Sequence, residues 1–518
     1  MSIILPSMSG FAHTSSAFAY SLDDTHGIEV VPALHLDASI LDGADAGNNP
    51  SDGTAVATWG DRSGNGNDLA EATNQPSFKA SWQNGKPAVE FDGTNDTLAD
   101  SDFFSNVDFT NKDATMVIVY QPQDDSAYSL TITGRGSYGD EQSSDIGSAS
   151  YSSCFLGTRM AGAAFAGDKG VANGFRSAGV YGLRIDNSST SYKVYQSKQL
   201  QIDYSSSYNG STFGTPTDNA FRLSYTQFFN GYIAEVLIFN EVLTDTDWDM
   251  IHTYIDSKYW VHSYNDVSGS YALDGSHSTS VTPVAHWSAQ SNLYQADGSA
   301  AGDTNSVAKW TDKARGYHGI SVNAPVLNTN QLNTSLSGVY FDGTNDYMEV
   351  FMPRSLGTFG YSDNTNVTYI FLFEPDNVGT YTPIGAFNST GNDFVNASWG
   401  TLTDLYRSVR YPYSSPETDW FTSTGAQIAT VRNDDAANSY VIYNGGGTAS
   451  ITTTQSVPGR NDKSQMVLGA SAVIPSTKLM KGWLYEVLIF DTALSTSDMN
   501  QVGQYLDSVY GVSYTDIS

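Results

Sequence analysis

Phe91-Asp92-Gly93-Thr94-Asn95-Asp96 returns unchanged as Phe341-Asp342-Gly343-Thr344-Asn345-Asp346, 250 positions later. Glu235-Val236-Leu237-Ile238-Phe239 returns as Glu486-Val487-Leu488-Ile489-Phe490, 251 positions later. Between these anchors the register hardly slips. Pro32, His35 and Ala38 match Pro283, His286 and Ala289, and Val56-Ala57, Trp59 and Asp61 match Val307-Ala308, Trp310 and Asp312. Arg184, Asp186, Ser191, Tyr192 and Tyr195 match Arg432, Asp434, Ser439, Tyr440 and Tyr443. Solenoid units run to ~20–50 residues, so this period marks a duplicated whole domain. A feature kept in both copies serves the shared fold before it serves one reaction.

The pattern inside each copy is β. Thr115-Met116-Val117-Ile118-Val119-Tyr120 and its partner Thr368-Tyr369-Ile370-Phe371-Leu372-Phe373 are short apolar runs bounded by turn residues. Such runs without intervening amphipathic helices predict an antiparallel sandwich, not a parallel α/β sheet. One helix closes each copy. Thr244 and Ser495 stand at N-cap positions, with Asp247 and Asp498 three residues on. Leu243 with Trp248, and Leu494 with Met499, form hydrophobic staples, and Trp248, Ile251, Ile255 and Tyr259 mark a helical face.

Composition agrees. The 518 residues are 40% hydrophobic but only 15% charged, against ~25% charged in ordinary soluble proteins. Of 55 acidic residues ten are Glu, so 45 are Asp, a residue of turns and caps more than of helix interiors. The net charge of −31 repels a phosphate backbone and an anionic membrane surface, which excludes nonspecific nucleic-acid binding. Cys154 stands alone, so neither an intrachain disulfide nor a cysteine metal cluster forms, and it reads as a small apolar residue. No apolar stretch approaches the ~18 residues of a membrane span.

The expected organisation is an extended N-terminal arm over residues 1–29, a first domain over 30–262, a linker over 263–280 and a second domain over 281–518. Phe11, Phe18 and Tyr20 are the arm's large apolar residues and its expected contacts with a neighbouring subunit. Met1-Ser2-Ile3-Ile4-Leu5-Pro6 lacks the basic n-region and sustained apolar core of a signal peptide, so no export signal is expected.

Three motifs carry a resemblance to a known family. They are Val-Ala-x-Trp-x-Asp followed by Ser63-Gly64-Asn65-Gly66-Asn67-Asp68, the Phe-Asp-Gly-Thr-Asn-Asp turn, and Gly-x-x-x-Glu-Val-Leu-Ile-Phe with its capped helix. Together they resemble the laminin-G-like, concanavalin A-type jelly-roll family over everything after the arm. The resemblance implies an all-β chain of two tandem antiparallel sandwiches, each with one short C-terminal helix. The second copy departs from it at Asp312-Lys313-Ala314-Arg315-Gly316-Tyr317-His318-Gly319. The family hosts lectins, lyases, glucanases and structural modules, so the fold alone names no function.

Candidate sites follow from residue chemistry. Asp92, Asn95 and Asp96, with Asp342, Asn345 and Asp346, offer oxygen ligands of the kind calcium takes. One short loop does not complete a shell of six to eight oxygens, and the same residues build a hairpin turn. No cofactor is expected beyond that calcium candidate. Glucanases of this fold carry Glu-x-Asp-x-x-Glu on one strand; Glu90-Phe91-Asp92-Gly93-Thr94-Asn95 lacks the last acid, and Tyr340 replaces the first in the second copy. Glu235 and Glu486 lie in strands apolar on both faces and read as buried, hydrogen-bonded structural acids. His35 and His286 read as core or interface histidines.

The functional expectation is therefore non-enzymatic. The chain reads as a virion surface protein, a phage capsid decoration, fibre or tail adhesin. On this reading residues 1–29 engage other virion proteins, the protein is a homo-oligomer or multicopy, and host surface polysaccharide is its external partner. A secreted or surface-anchored bacterial carbohydrate-binding adhesin is the alternative, and a carbohydrate-active enzyme with an unrecognised site the second alternative.

Overall fold

The computed structural model describes residues 18–108, 113–123, 178–186, 228–261, 269–351, 366–376, 425–434 and 479–518, with shorter strand segments between them. The chain is mostly strand and every pairing between named strands is antiparallel, as in an all-β sandwich.

Strand order is repeated. The sheet of longer strands in the first half, larger in that sense than its partner, runs Gln199–Asp203, Ser191–Gln196, Gly179–Asp186, Ala114–Pro122, Asn230–Phe239, Lys86–Asp92, Ser77–Gln83. Its counterpart runs Ile451–Thr453, Ser439–Asn444, Gln427–Asp434, Val367–Pro375, Lys481–Phe490, Leu336–Asp342, Val326–Leu332. In both, the long strand slips register by one residue just before its glutamate, between Ile233 and Glu235 and at the equivalent Leu484–Glu486 step. Here the long strand changes partner, from Lys86–Asp92 to Leu34–Asp37 in the first half and from Leu336–Asp342 to Ala285–Ser288 in the second. A bulge re-aims the side chains that follow it. It turns the glutamate toward the helix.

Two apolar layers result in each half. One lies between the sheets and contains Trp59, Phe91, Ile118 and Val236, matched by Trp310, Phe341, Phe371 and Val487. The other lies between the larger sheet and the helix, Asp245–Tyr259 or Thr496–Tyr510. Thr244 and Ser495 cap these helices by accepting from the Asp247 and Asp498 amides, both at 3.1 Å. The caps fix where the helices start; the buried faces hold them down.

The first 29 residues require a correction. Tyr20–Ser21 and Gly27–Ile28 form a hairpin of the first domain, with Leu22 and Ile28 in the core beneath its helix. Asp247 accepts the Glu29 amide at 3.0 Å, which pins the hairpin to the helix start. The second copy repeats the device: Tyr271–Ala272 pairs with Ser278–Thr279, and Asp498 accepts from Ser280 at 2.7 Å. The pattern Tyr-x-Leu-Asp-x-x-His stands at Tyr20 and again at Tyr271, so the duplication extends into the expected arm and linker. Tyr20 is thus a residue of its own domain. Phe18 is half exposed and sits against Gly27; Phe11 lies outside the described residues, as does the side chain of Cys154.

The halves touch through the first domain's Asn84–Gly85 turn and helix end. Gly85 donates to the Ala296 carbonyl at 2.8 Å, and the Trp260 ring lies 4.7 Å from Tyr294 with the Lys309 ammonium 5.2 Å from its centre. Trp260 ends its helix in the left-handed conformation at φ 57°, where the second copy has Gly511. A bulky residue is costly there, and the contacts across the junction hold it in place.

Candidate functional site

Two groups of side chains recur at matching positions: a sealed carboxylate network under each helix and a half-exposed aromatic row beside it.

In the sealed network Glu235 and Glu486 are fully enclosed. Glu235 accepts four bonds. His35 Nε2 at 2.7 Å and the Tyr254 hydroxyl at 2.8 Å donate to Oε1; Lys258 Nζ at 2.8 Å and the Tyr259 hydroxyl at 2.8 Å donate to Oε2. The other ring nitrogen of His35 meets the Tyr20 hydroxyl at 2.8 Å. Lys258 also binds Asp37 at 2.7 Å, and Arg62 covers the second Asp37 oxygen at 2.7 Å. Burial alone would favour the neutral acid; the Lys258 charge and the His35 bond outweigh it and hold Glu235 well below the usual carboxylate range. Tyr254 and Tyr259 are pushed well up, first by burial and then by the Glu235 charge.

The second copy keeps the frame and lacks the charges of Asp37 and Lys258. Glu486 accepts from His286 Nε2, from Tyr505 at 2.7 Å and from Tyr510, and His286 Nδ1 meets Tyr271 at 2.9 Å. Ser288 stands where Asp37 would be and Val509 where Lys258 would be. The two changes belong together, because loss of the lysine alone leaves the buried Asp37 and Glu235 charges without their shared cation. Burial opposes ionisation here too, and the His286 bond prevails, so the Glu486 carboxyl lies below its ordinary range.

Asp61 and Asp312 support these frames from the neighbouring loop. Asp61 accepts the His35 amide at 3.0 Å, Asp312 the His286 amide at 2.6 Å, and each then gathers amides of its own loop. The loop sequences differ; the aspartate's task does not.

Among the described residues, His35, Asp37 and Glu235 form the one group of three potential metal ligands whose atoms converge, within 4.8 Å. The Lys258 ammonium bridges Asp37 and Glu235, so the chain supplies its own cation there. The calcium candidates are engaged in the turn itself. Asp92 Oδ1 accepts the Thr94 and Asn95 amides at 2.7 and 3.2 Å, and Asp96 accepts the Asp92 amide at 2.8 Å. Asp342 and Asp346 repeat these bonds at 2.7, 3.2 and 3.1 Å. Gly93 and Gly343 take φ of 71° and 75° as the turn demands, and a Cβ on either would strike the adjoining strand at Asn230 or Lys481. Burial first, with the neighbouring carboxylates, raises Asp96 and Asp346 to about 6.

The second group lies on the helix-bearing side of the larger sheet. Glu90, Tyr232 and Gln121 face one another across three adjacent strands, and Tyr340, Trp483 and Glu374 occupy the same positions in the second copy. All six are half-buried. Trp82 joins the first row, its ring 6.1 Å from Tyr232 and its N–H donating to Gln121 at 2.6 Å. The Tyr340 and Trp483 rings are 4.8 Å apart, and the Trp483 N–H donates to Asn328 at 3.2 Å. A carboxylate adjoins each pair. Glu90 accepts from Tyr232 at 3.1 Å and Gln123 at 2.9 Å; Asp376 accepts from Tyr340 at 3.4 Å and pairs with Lys481 at 3.0 Å. In the sequence Glu90 stands out only as part of the incomplete glucanase motif. Its aromatic neighbours carry no such signal, because cross-strand register is needed to bring them together.

No protein-family model and no curated protein matches the chain. The laminin-G-like resemblance therefore rests on its motifs. Solved structures do match. Trypanosoma rangeli sialidase in complex with sialic acid is similar at 9% identity and a TM-score of 0.31, covering 64% of this chain and 49% of that one. The Ruminococcus gnavus IT-sialidase CBM40 bound to α2,6-sialyllactose is similar at 16% identity and a TM-score of 0.22, over 27% of this chain and 82% of that one. The binding domain of botulinum neurotoxin DC in complex with SialylT is similar at 9% identity and a TM-score of 0.28, over 90% and 94%. The chain thus spans about half the length of the sialidase it matches. The expectation that it is not an enzyme is corrected by these matches, which include enzymes, and is not retained. At such TM-scores the matches assign neither reaction nor ligand.

Proposed function

We propose that the chain is a saccharide-binding protein displayed on the outside of a virus particle, with its two laminin-G-like sandwiches presented outward. The observation that carries the binding half is the pair of half-exposed Trp–Tyr clusters, each beside a carboxylate, at one place on both domains. An aromatic face covers the C–H face of a sugar ring, and a few fixed polar groups orient it. The sealed Glu235 and Glu486 networks admit no ligand without opening the core, whereas the outer rows reach the surface.

Display on a particle is supported by the tandem sandwiches and by the acidic charge, which keeps particles from one another and from bare nucleic acid. The particle contact would come from the residues ahead of the Tyr20 hairpin, Phe11 among them. Many copies on one particle would turn weak single sites into avid attachment. The test is a glycan array probed with the full chain, together with immunogold imaging of particles carrying it. Binding to no glycan defeats the binding half. Normal incorporation of a chain lacking residues 1–17 defeats the anchoring half.

A further inference from the structure

We infer that the two outer rows are separate sites for neutral pyranosides, each using one carboxylate oxygen to take the hydroxyls of the sugar. The inference rests on the saccharide-binding reading above and adds the position and the class of ligand.

The geometry is the same in both copies although the residues are not. In the first domain both described bonds to Glu90, from Tyr232 and Gln123, fall on Oε1. In the second, the Tyr340 hydroxyl and the Lys481 ammonium both fall on Asp376 Oδ2. Each carboxylate is thus oriented through one oxygen, and among the described residues no hydrogen bond or ion pair falls on its other oxygen. An ionised carboxylate only accepts hydrogen bonds, and a sugar presents O–H donors on adjacent carbons. The aromatic half sits within the same row: Trp82 with Tyr232, and Trp483 with Tyr340.

The charge decides the class. Glu90 stands in the first row, Glu374 and Asp376 in the second beside the single ammonium of Lys481, and the whole chain carries −31. A sugar bearing its own carboxylate or sulfate meets like charge at either row, whereas a neutral hexose does not.

Divergence between the rows separates them from the core network. Glu, His and two Tyr of the buried frame are identical in both copies, as a shared fold requires. The rows keep aromatic-plus-acid chemistry while exchanging positions: Glu90 corresponds to Tyr340, Tyr232 to Trp483, and Gln123 to Asp376. Gly338 accommodates the second arrangement, since a Cβ there would meet the Tyr485 ring at 2.7 Å and the Trp483 ring at 3.1 Å. Two rows of one chemistry and different shape take different members of one ligand class.

The experiment uses the full chain on an array printed with neutral hexose oligosaccharides and the sialylated forms of the same glycans. The strongest neutral glycan is then followed by calorimetric titration and tryptophan fluorescence. Binding to neutral glycans, at least tenfold weaker in Trp82→Ala/Trp483→Ala and in Glu90→Gln/Asp376→Asn, is the expected result. The second variant keeps side-chain size and guards against misfolding, which a thermal melt monitors. Neutral binding within twofold of the parent in Glu90→Gln/Asp376→Asn overturns the site and leaves the saccharide-binding reading standing. Preference for sialylated glycans overturns the ligand class. Binding to nothing on the array overturns both.

Discussion

Replacing Lys258 by Val, the residue that the second copy carries at that position, isolates the cost of the extra ion pair in the first domain. In the parent, Lys258 neutralises both Asp37 and Glu235, at 2.7 and 2.8 Å, and both acids are buried. Lys258→Val leaves two carboxylates in the core with Arg62 on one side, and breaking a buried pair in this way costs about 3–5 kcal/mol. Asp37→Ser alone costs less, about 1–2 kcal/mol, because Lys258 keeps Glu235 and Arg62 is partly solvated. The double variant Asp37→Ser/Lys258→Val reproduces the second copy's arrangement. It should therefore lie at least ~1.5 kcal/mol above the sum of the single effects. Scanning calorimetry of the full chain measures the losses, with hydrogen exchange along Asn230–Phe239 assigning them to the first domain. Strictly additive losses would refute the reasoning, since they would mean that the two charges are independently solvated. The reverse series in the second domain sharpens the test: Ser288→Asp should destabilise, and Ser288→Asp/Val509→Lys should recover part of the loss.

Three further outcomes are expected. Asp96 and Asp346 are raised to about 6 in the fold, so their contribution is fully present below the unfolded value of 3.8 and is lost as pH rises through about 6. Asp96→Asn/Asp346→Asn should raise stability at pH 7 by about 1 kcal/mol per site after allowance for solvent screening, with no gain at pH 3.5, as followed by urea unfolding. Glu235 and Glu486 act oppositely: their folded values are lowered, so their contribution is present above about 4.5 and lost as pH falls, and Glu486→Gln should make the second domain's melting less acid-sensitive. Trp260→Gly removes left-handed strain worth about 1 kcal/mol but also the Tyr294 and Lys309 contacts, worth about 1–3 kcal/mol together. It should separate the calorimetric transitions of the two halves, and an unchanged single transition would count against a coupled junction.

The sequence alone determined the duplication, the all-β class and the closing helices, because each is written in local pattern. An exact hexapeptide repeat, alternating apolar runs and a Thr-x-x-Asp cap are read without knowing any neighbour. It also singled out Glu235 and Glu486, since an acid inside a doubly apolar strand has few physical explanations. It misjudged Tyr20 because a two-strand hairpin of two residues per strand has too little periodicity to register, and only the match with Tyr271 betrays it. What the tertiary structure decided is everything that depends on meeting across distance. The bulge before Glu235 turns that carboxylate toward Tyr254, Lys258 and Tyr259 on a helix some twenty residues away, and toward His35 two hundred residues away. Register across three strands sets Glu90 beside Tyr232 and Gln121, and Tyr340 beside Trp483 and Glu374. Side-chain period in a strand is local, but which residue lies opposite is set by the pairing of strands far apart in the chain, and no local pattern encodes it.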